Sequence, residues 1–162
     1  SHLREGTLME ELRVRDIMQT DVVAAGPDTT VEELADLLAE HRISGVPVVD
    51  GENRVIGVVS EADVIMQDAD LHFPHYVQLL ESIIYLESVR RFEERYRKAF
   101  GTKVADIMSK EVVTISPEAP VREAATLMAD RGVNRLPVTE RRHLVGIVTR
   151  GDIVRAIAES KV

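Results

Sequence analysis

The chain has 162 residues, which is enough for one domain or for two very small ones. Its formal net charge of −8 argues against a duplex DNA-binding surface, because neutralising phosphates requires clustered Lys and Arg. The absence of Cys excludes disulfides and thiolate chemistry. No apolar run approaches the ~18 residues of a membrane span and no signal-peptide core is present, so we expect a cytoplasmic protein without nucleic-acid or membrane partners.

A helix is the first element with a clear period in the sequence. Residues 1–12 before it are expected to be an N-terminal extension outside the fold, because residues 1–6 are typical of an expression remnant. Thr30 and Glu33 have the spacing of a capping box, which predicts a helix that starts after Thr30. Apolar residues then recur at the spacing of one helix face: Val31, Leu34, Ala35 and Leu38.

A β-hairpin and a second helix follow. Two short apolar runs, at 46–49 and 55–59, are separated by the turn residues 50–53, and this pattern predicts a hairpin. A second helix is predicted to open at Ser60. Together with a short strand before the first helix, these elements form a strand–helix–strand–strand–helix unit.

An inserted amphipathic helix is predicted within residues 70–102. Pro74 suits a helix start and Gly101 suits a C-cap, with no other Gly or Pro between them. Such a helix would be about 39 Å long at 1.5 Å per residue. Two interpretations stay open: the helix covers the protein's own core, or part of it packs on another subunit. One apolar stripe runs along it: Tyr76, Leu79, Leu80, Ile83, Ile84, Leu86, Val89, Phe92, Tyr96 and Phe100.

The first unit is repeated in the second half of the chain. Residues 14–18 (VRDIM) return 90 positions later as 104–108 (VADIM), and after one deletion Gly57 and Asp63 meet Gly146 and Asp152. One unit of about fifty residues cannot bury a core alone, whereas two facing units can. The sequence therefore predicts an α+β fold of two pseudo-symmetric β-α-β-β-α repeats that form one module. The predicted boundaries are 1–12 for the extension, 13–69 for repeat 1, 70–102 for the insert and 103–162 for repeat 2.

The junction between the last strand and the last helix of each repeat carries the most informative side chains, Ser60 and Asp63 in the first repeat and Thr149 and Asp152 in the second. A helix start offers free N–H groups and partial positive charge, which suit a phosphate or a hydroxyl-rich ligand. A first-turn carboxylate can also accept hydrogen bonds from two vicinal ribose hydroxyls. Ser-x-x-Asp is equally a capping-box-like pattern, and the residues alone favour this structural interpretation.

Three motifs occur in the same order in both halves. In the first half they are residues 14–18, 43–50 and 57–63, and their partners are 106–108, 133–138 and 146–152. With these motifs the two repeats resemble the cystathionine-β-synthase (CBS) domain family, over nearly the whole chain outside residues 1–12 and the insert. The resemblance implies a regulatory ligand-sensing module that binds AMP, ADP, ATP or a related adenosyl compound in clefts between the repeats. It also implies a homodimer. An effector protein would read the state of this homodimer, and the sequence does not identify that effector.

The resemblance also assigns ligand-binding roles to individual residues. The ribose carboxylates of the family correspond to Asp63 and Asp152, and their hydroxyl partners correspond to Ser60 and Thr149. A basic pair that contacts phosphate is half matched by Asn134-Arg135, with Arg135 expected to face the ligand held by Asp63, and is not matched by Ser44-Gly45. The adenine is expected to lie on apolar backbone, because base pockets are mostly hydrophobic; the residues there are Val22, Val23, Val112 and Val113.

Other candidate sites are weaker. His72 and His75 are close enough to share a metal, but with no third ligand evident we expect loop residues and no metal site. His41 and His143 are expected to be exposed, and Met18 and Met108 are expected to fill gaps in the core. The sequence has no nucleophile–base–orienter set and no Walker-type loop, so we expect neither an enzyme nor a required cofactor. The alternative function is a structural or dimerisation module with vestigial clefts.

Overall fold

The computed structural model describes residues 12–67 and 102–160. Within these ranges the chain forms short helices and two separate two-stranded antiparallel sheets, so the predicted α+β class is confirmed. The predicted inserted helix and its apolar stripe lie outside the described residues, as do His72 and His75 and all of the N-terminal extension except Leu12.

Both halves have the same order of elements, three helices and one hairpin each in the described residues. The elements of the first half are α1 (Val14–Ile17), α2 (Val31–His41), β1 (Gly45–Val49), β2 (Val55–Ser60) and α3 (61–67). Those of the second half are α4 (Val104–Ile107), α5 (Val121–Arg131), β3 (Arg135–Glu140), β4 (His143–Thr149) and α6 (Arg150–Ser160).

The strand predicted at the start of each repeat is a single parallel bridge in the structure. Ala25 bridges to Val48 in the first half, and Ile115 bridges to Val138 in the second. A proline follows two residues after each bridge, and proline has no N–H group with which to extend a ladder. The leading β-element is therefore limited to one residue in each repeat.

The ends of the two long helices, α2 and α5, are determined by the local sequence. The Thr30 side chain accepts a hydrogen bond from the Glu33 N–H at 3.1 Å, which confirms the predicted cap of α2. Pro120 occupies the N-cap position of α5, with a φ of −66°. Both helices end on a left-handed residue, Arg42 for α2 and Gly132 for α5, the conformation typical of helix C-termini.

The buried residues of both long helices match most of the predicted apolar faces. In α2 the side chains of Val31, Leu34 and Leu38 are buried and Ala35 is half-buried. The repeat places Val121, Ala124, Ala125 and Met128 on the equivalent face of α5, and all of them are buried except Ala125, which is exposed.

The chain divides into two compact units, and each unit takes residues from both repeats. Within the described residues, unit 1 contains 12–23, 49–55 and 111–160, and unit 2 contains 24–48, 56–67 and 102–110. The leading segment of each repeat therefore belongs to the unit that holds the long helix of the other repeat.

Backbone hydrogen bonds fix these leading segments in their units. In unit 1 the N–H of Val14 donates to the carbonyl of Ala119 at 2.8 Å. In unit 2 the N–H of Val104 donates to the carbonyl of Thr29 at 2.7 Å. Both valines are fully buried, and Val14 is part of the unit 1 core. That core is almost entirely aliphatic: Val14, Ile115, Val121, Ala124, Met128, Leu136, Val138, Val148 and Ile153.

The predicted turn of the first hairpin is confirmed. Asp50 Oδ1 accepts hydrogen bonds from the N–H groups of Glu52 and Arg54, both at 2.9 Å. Asn53 has a φ of 63°, a left-handed conformation that Asn tolerates better than most residues. The backbone N–H of Arg54, with further help from the N–H of Glu52 and the Arg54 guanidinium, lowers the pKa of the Asp50 carboxyl below its ordinary value.

Candidate functional site

Two strand-to-helix junctions carry the predicted ribose-binding residues. Ser60 is the last residue of β2, and Thr149 is the last residue of β4. Asp63 and Asp152 follow three positions later, in the first turns of α3 and α6. Each junction therefore places a hydroxyl and a carboxylate at the positive end of a helix.

The junction in unit 2 is held by local hydrogen bonds. The backbone N–H of Ser60 donates to Asp63 Oδ2 at 2.8 Å, and the Ser60 hydroxyl lies 3.3 Å from the same oxygen. The N–H of Glu61 donates to the carbonyl of Ser44 at 2.8 Å, so the structure brings Ser44 next to this junction. Asp63 is half-buried.

The junction in unit 1 repeats this geometry. The Thr149 N–H donates to Asp152 Oδ2 at 2.8 Å, and the Asp152 N–H donates to the Thr149 hydroxyl oxygen at 3.2 Å. The N–H of Arg150 donates to the carbonyl of Asn134 at 2.9 Å, which is the counterpart of the Glu61–Ser44 bond. Both junctions are therefore capped helix starts, as the structural interpretation predicts.

Arg135 lies in unit 1, at the start of β3. It is half-buried, and its register partner across the hairpin is Thr149. Asn134, one residue earlier, is exposed. The structure thus places the predicted basic position beside the Thr149 junction, and the contact expected between Arg135 and a ligand held by Asp63 stays a prediction.

The Asp152 carboxylate has two further partners that sequence reasoning missed. Gln19 Nε2 lies 3.1 Å from Oδ1 and 3.3 Å from Oδ2, and the Arg155 guanidinium forms an ion pair with Oδ1. Among the residues that the structure describes, Asp152 is the one charged residue that is buried, with 5% of its surface exposed. A comparison of the repeats could have singled out both partners, because the positions that correspond to Gln19 and Arg155 are Ser109 and Met66.

The four residues predicted near the adenine all lie in unit 1. The side chains of Val22, Val23, Val112 and Val113 are half-buried. Val113 also packs against the unit 1 core. The structure therefore groups these valines with Thr149 and Asp152 in one unit, and their contact with a base stays a prediction.

Met18 and Met108 lie against the last strand of a hairpin, one in each unit. A Cβ atom added to Gly146 would lie 2.7 Å from Met18 Sδ, and one added to Gly57 would lie 2.6 Å from Met108 Sδ. Met18 also packs against the unit 1 core, in agreement with its predicted role as a core residue.

His41 and His143 are exposed, as expected from the sequence. Within residues 12–67 and 102–160, no group of three or more His, Asp or Glu side chains is placed to hold a metal ion. In the same part of the chain, no helix combines the length and the apolar character needed to cross a membrane.

Comparison with known proteins identifies the family. The model of the CBS domain matches residues 14–70 and 104–159, well over half of the chain. An uncharacterized protein of Methanocaldococcus jannaschii, MJ1426, is 31% identical over 156 residues, which cover 91% of this chain and 92% of that protein. The chloroplastic CBS domain-containing protein CBSX1 of Arabidopsis thaliana is 29% identical, and the match covers 87% of this chain and 61% of that protein.

Solved structures give the same result. The crystal structure of Arabidopsis thaliana CBSX2 in complex with AMP superimposes with a TM-score of 0.71 at 27% identity, covering 93% of this chain and 98% of that one. The CBS domain pair of MJ0100, in complex with 5-methylthioadenosine and S-adenosyl-L-methionine, has a TM-score of 0.66 at 22% identity and covers 91% of this chain and 97% of its own. The chain therefore belongs to the CBS domain family.

Proposed function

We propose that this protein is a regulatory sensor that binds AMP, ADP, ATP or a related adenosyl compound and catalyses no reaction. The observation that carries the proposal is the Ser60–Asp63 junction, where a half-buried carboxylate lies at the start of a helix. The similarity to CBSX2, which was crystallised with AMP, supports an adenine nucleotide as the ligand.

The chemistry of the junction suits a ribose. The two vicinal hydroxyls of the sugar can both donate to one carboxylate, and a charged acceptor makes such hydrogen bonds stronger than neutral ones. Asp63 Oδ2 is already fixed by Ser60, and this orients the carboxylate before a ligand arrives. The proposal also assigns a phosphate contact to Arg135, since a guanidinium matches phosphate geometry.

The output of the sensor requires a partner. We propose that nucleotide occupancy biases the arrangement of a cytoplasmic homodimer and that an effector protein reads the change, because a ligand shifts an equilibrium only through its different affinity for two states. The rival function is a structural or dimerisation module. It is favoured by the fact that the described hydrogen bonds of Asp63 are those of an ordinary helix cap.

The substitution Asp63→Asn separates binding from capping. Because Asn removes the charge that the ribose hydroxyls would contact, we expect the affinity for AMP to fall at least tenfold in calorimetric titrations. The stability of the helix should fall only slightly, since a first-turn carboxylate contributes only ~0.3–1 kcal/mol to it.

Asp16→Asn is the matched control for this experiment. Asp16 accepts the Arg13 N–H at 2.8 Å, the same distance as in the Ser60–Asp63 bond, and has no predicted role in binding. We expect the two variants to melt at similar temperatures and only Asp63→Asn to lose affinity. Unchanged AMP affinity in Asp63→Asn would favour the structural module.

A further inference from the structure

Three donor groups of the protein already contact the Asp152 carboxylate. An ionised carboxylate offers about four lone-pair positions for hydrogen bonds. The Thr149 N–H and Gln19 Nε2 contact Oδ2, and Gln19 Nε2 and the Arg155 guanidinium contact Oδ1. With Asp152 only 5% exposed, a ribose diol can reach this carboxylate only by displacing Gln19 and Arg155.

Displacement would cost the protein an ion pair and a prepositioned hydrogen bond. The Arg155 contact is an ion pair with a buried carboxylate, whereas a ribose hydroxyl is a neutral donor. The Gln19 side chain is held in place by its own backbone, because the Gln19 N–H donates to the Ile147 carbonyl at 2.8 Å and the Ile147 N–H donates back at 2.9 Å. A nucleotide therefore competes at Asp152 with an internal, prepositioned set of donors.

Unit 2 has no corresponding donors at these two positions. Ser109 pairs with Val58 through the same two backbone hydrogen bonds, at 2.9 and 3.0 Å, so it occupies the position of Gln19. Its side chain is shorter than that of Gln, and no side-chain hydrogen bond joins it to Asp63 within residues 12–67 and 102–160. Met66 takes the position of Arg155 and is 61% exposed, and its thioether side chain has no N–H group to donate.

We propose that Gln19 and Arg155 are specificity-determining residues that close the Thr149–Asp152 junction to ribose and leave the Ser60–Asp63 junction as the adenosine site of each chain. The inference rests on the proposed function, since it assigns the same ligand to one of two similar junctions. It goes further in naming the side chains that make the two junctions unequal.

The test is to give unit 1 the residues that unit 2 has. Calorimetric titration of ligand-stripped protein with adenosine should give one equivalent per chain for the wild type. The double variant Gln19→Ser, Arg155→Met should bind two equivalents, because the Asp152 carboxylate then lacks both competing donors. Arg131→Met, which removes an exposed arginine at the end of α5, is the control and should keep one equivalent.

The reciprocal double variant gives an independent test. Ser109→Gln with Met66→Arg supplies unit 2 with the donors of unit 1, and we expect its adenosine affinity to fall at least tenfold. This variant leaves Asp152 and its partners unchanged, so it tests the proposal even if the first double variant fails to fold. Circular dichroism and thermal melting establish that each variant is folded.

The outcomes separate this inference from the proposed function. Two equivalents of similar affinity in the wild type would overturn the inference and leave the proposed function standing. The inference alone would also be overturned by one equivalent in a folded Gln19→Ser, Arg155→Met protein. Wild-type affinity for adenosine in the reciprocal variant would have the same consequence. Failure of every protein to bind any adenosine compound would overturn both.

Discussion

At the scale of single residues, two glycines mark the closest approaches in the described structure. An added Cβ at Gly57 would lie 2.6 Å from Met108 Sδ and 3.0 Å from the carbonyl oxygen of Ser109. At Gly146 the corresponding distances, to Met18 Sδ and the carbonyl oxygen of Gln19, are 2.7 and 3.0 Å. A methionine side chain can move, but the backbone carbonyl belongs to a paired segment, so each strand needs glycine at this point.

Alanine at these positions should destabilise the protein. We expect Gly57→Ala and Gly146→Ala each to lower the free energy of unfolding by roughly 1–3 kcal/mol, the usual effect of overpacking a core. Gly51→Ala is the control, because nothing lies within 4 Å of its added Cβ. Urea unfolding measures the three values, and equal stabilities of Gly57→Ala and Gly51→Ala would contradict the packing argument.

The candidate site was only partly predictable at this scale. Ser60, Asp63, Thr149 and Asp152 could be found because they recur in a local pattern at a strand-to-helix junction. A comparison of the repeats marks Gln19 as a position that differs, but its contact with Asp152 could not be predicted, because the two residues lie 133 positions apart and are brought together by the backbone pairing of Gln19 with Ile147. No local period in the sequence carries information about such a contact.

At the scale of elements, the sequence predicted the long helices and the first hairpin, whose residues have clear periods and turn signals. It missed α1 and α4, because a helix of four residues is too short to show a period of 3.6. It also gave no sign that the leading segments pair across the repeats, since long-range bonds such as Val14 to Ala119 decide that pairing.

The Asp50 turn of the first hairpin leads to a prediction about pH. The N–H groups of Arg54 and Glu52 stabilise the ionised carboxylate, so the pKa in the folded state is below the ~3.9 of an unfolded chain. The stabilisation is therefore present above pH ~3.9 and is lost as the pH falls through the folded-state pKa. A carbon-detected NMR titration should give Asp50 a midpoint below ~3.9, and a midpoint at or above this value would contradict the turn geometry.

At the scale of the whole molecule, the exchange of leading segments means that neither compact unit consists of one repeat alone. The unit 1 core combines Val14 of the first repeat with Leu136, Val138 and Val148 of the second. Each unit also contains one strand-to-helix junction, Ser60–Asp63 in unit 2 and Thr149–Asp152 in unit 1. A ligand at either junction therefore binds a body to which both repeats contribute.

Thermal melting of ligand-stripped protein with and without AMP tests the central claim most directly. AMP at ~100 times its Kd should add about 2.7 kcal/mol to the free energy of unfolding for each occupied site. For a chain of this length, one occupied site should raise the Tm by roughly 5–11 °C. An unchanged Tm with adenosine, AMP, ADP and ATP would contradict nucleotide sensing and leave the structural module as the better account of the protein.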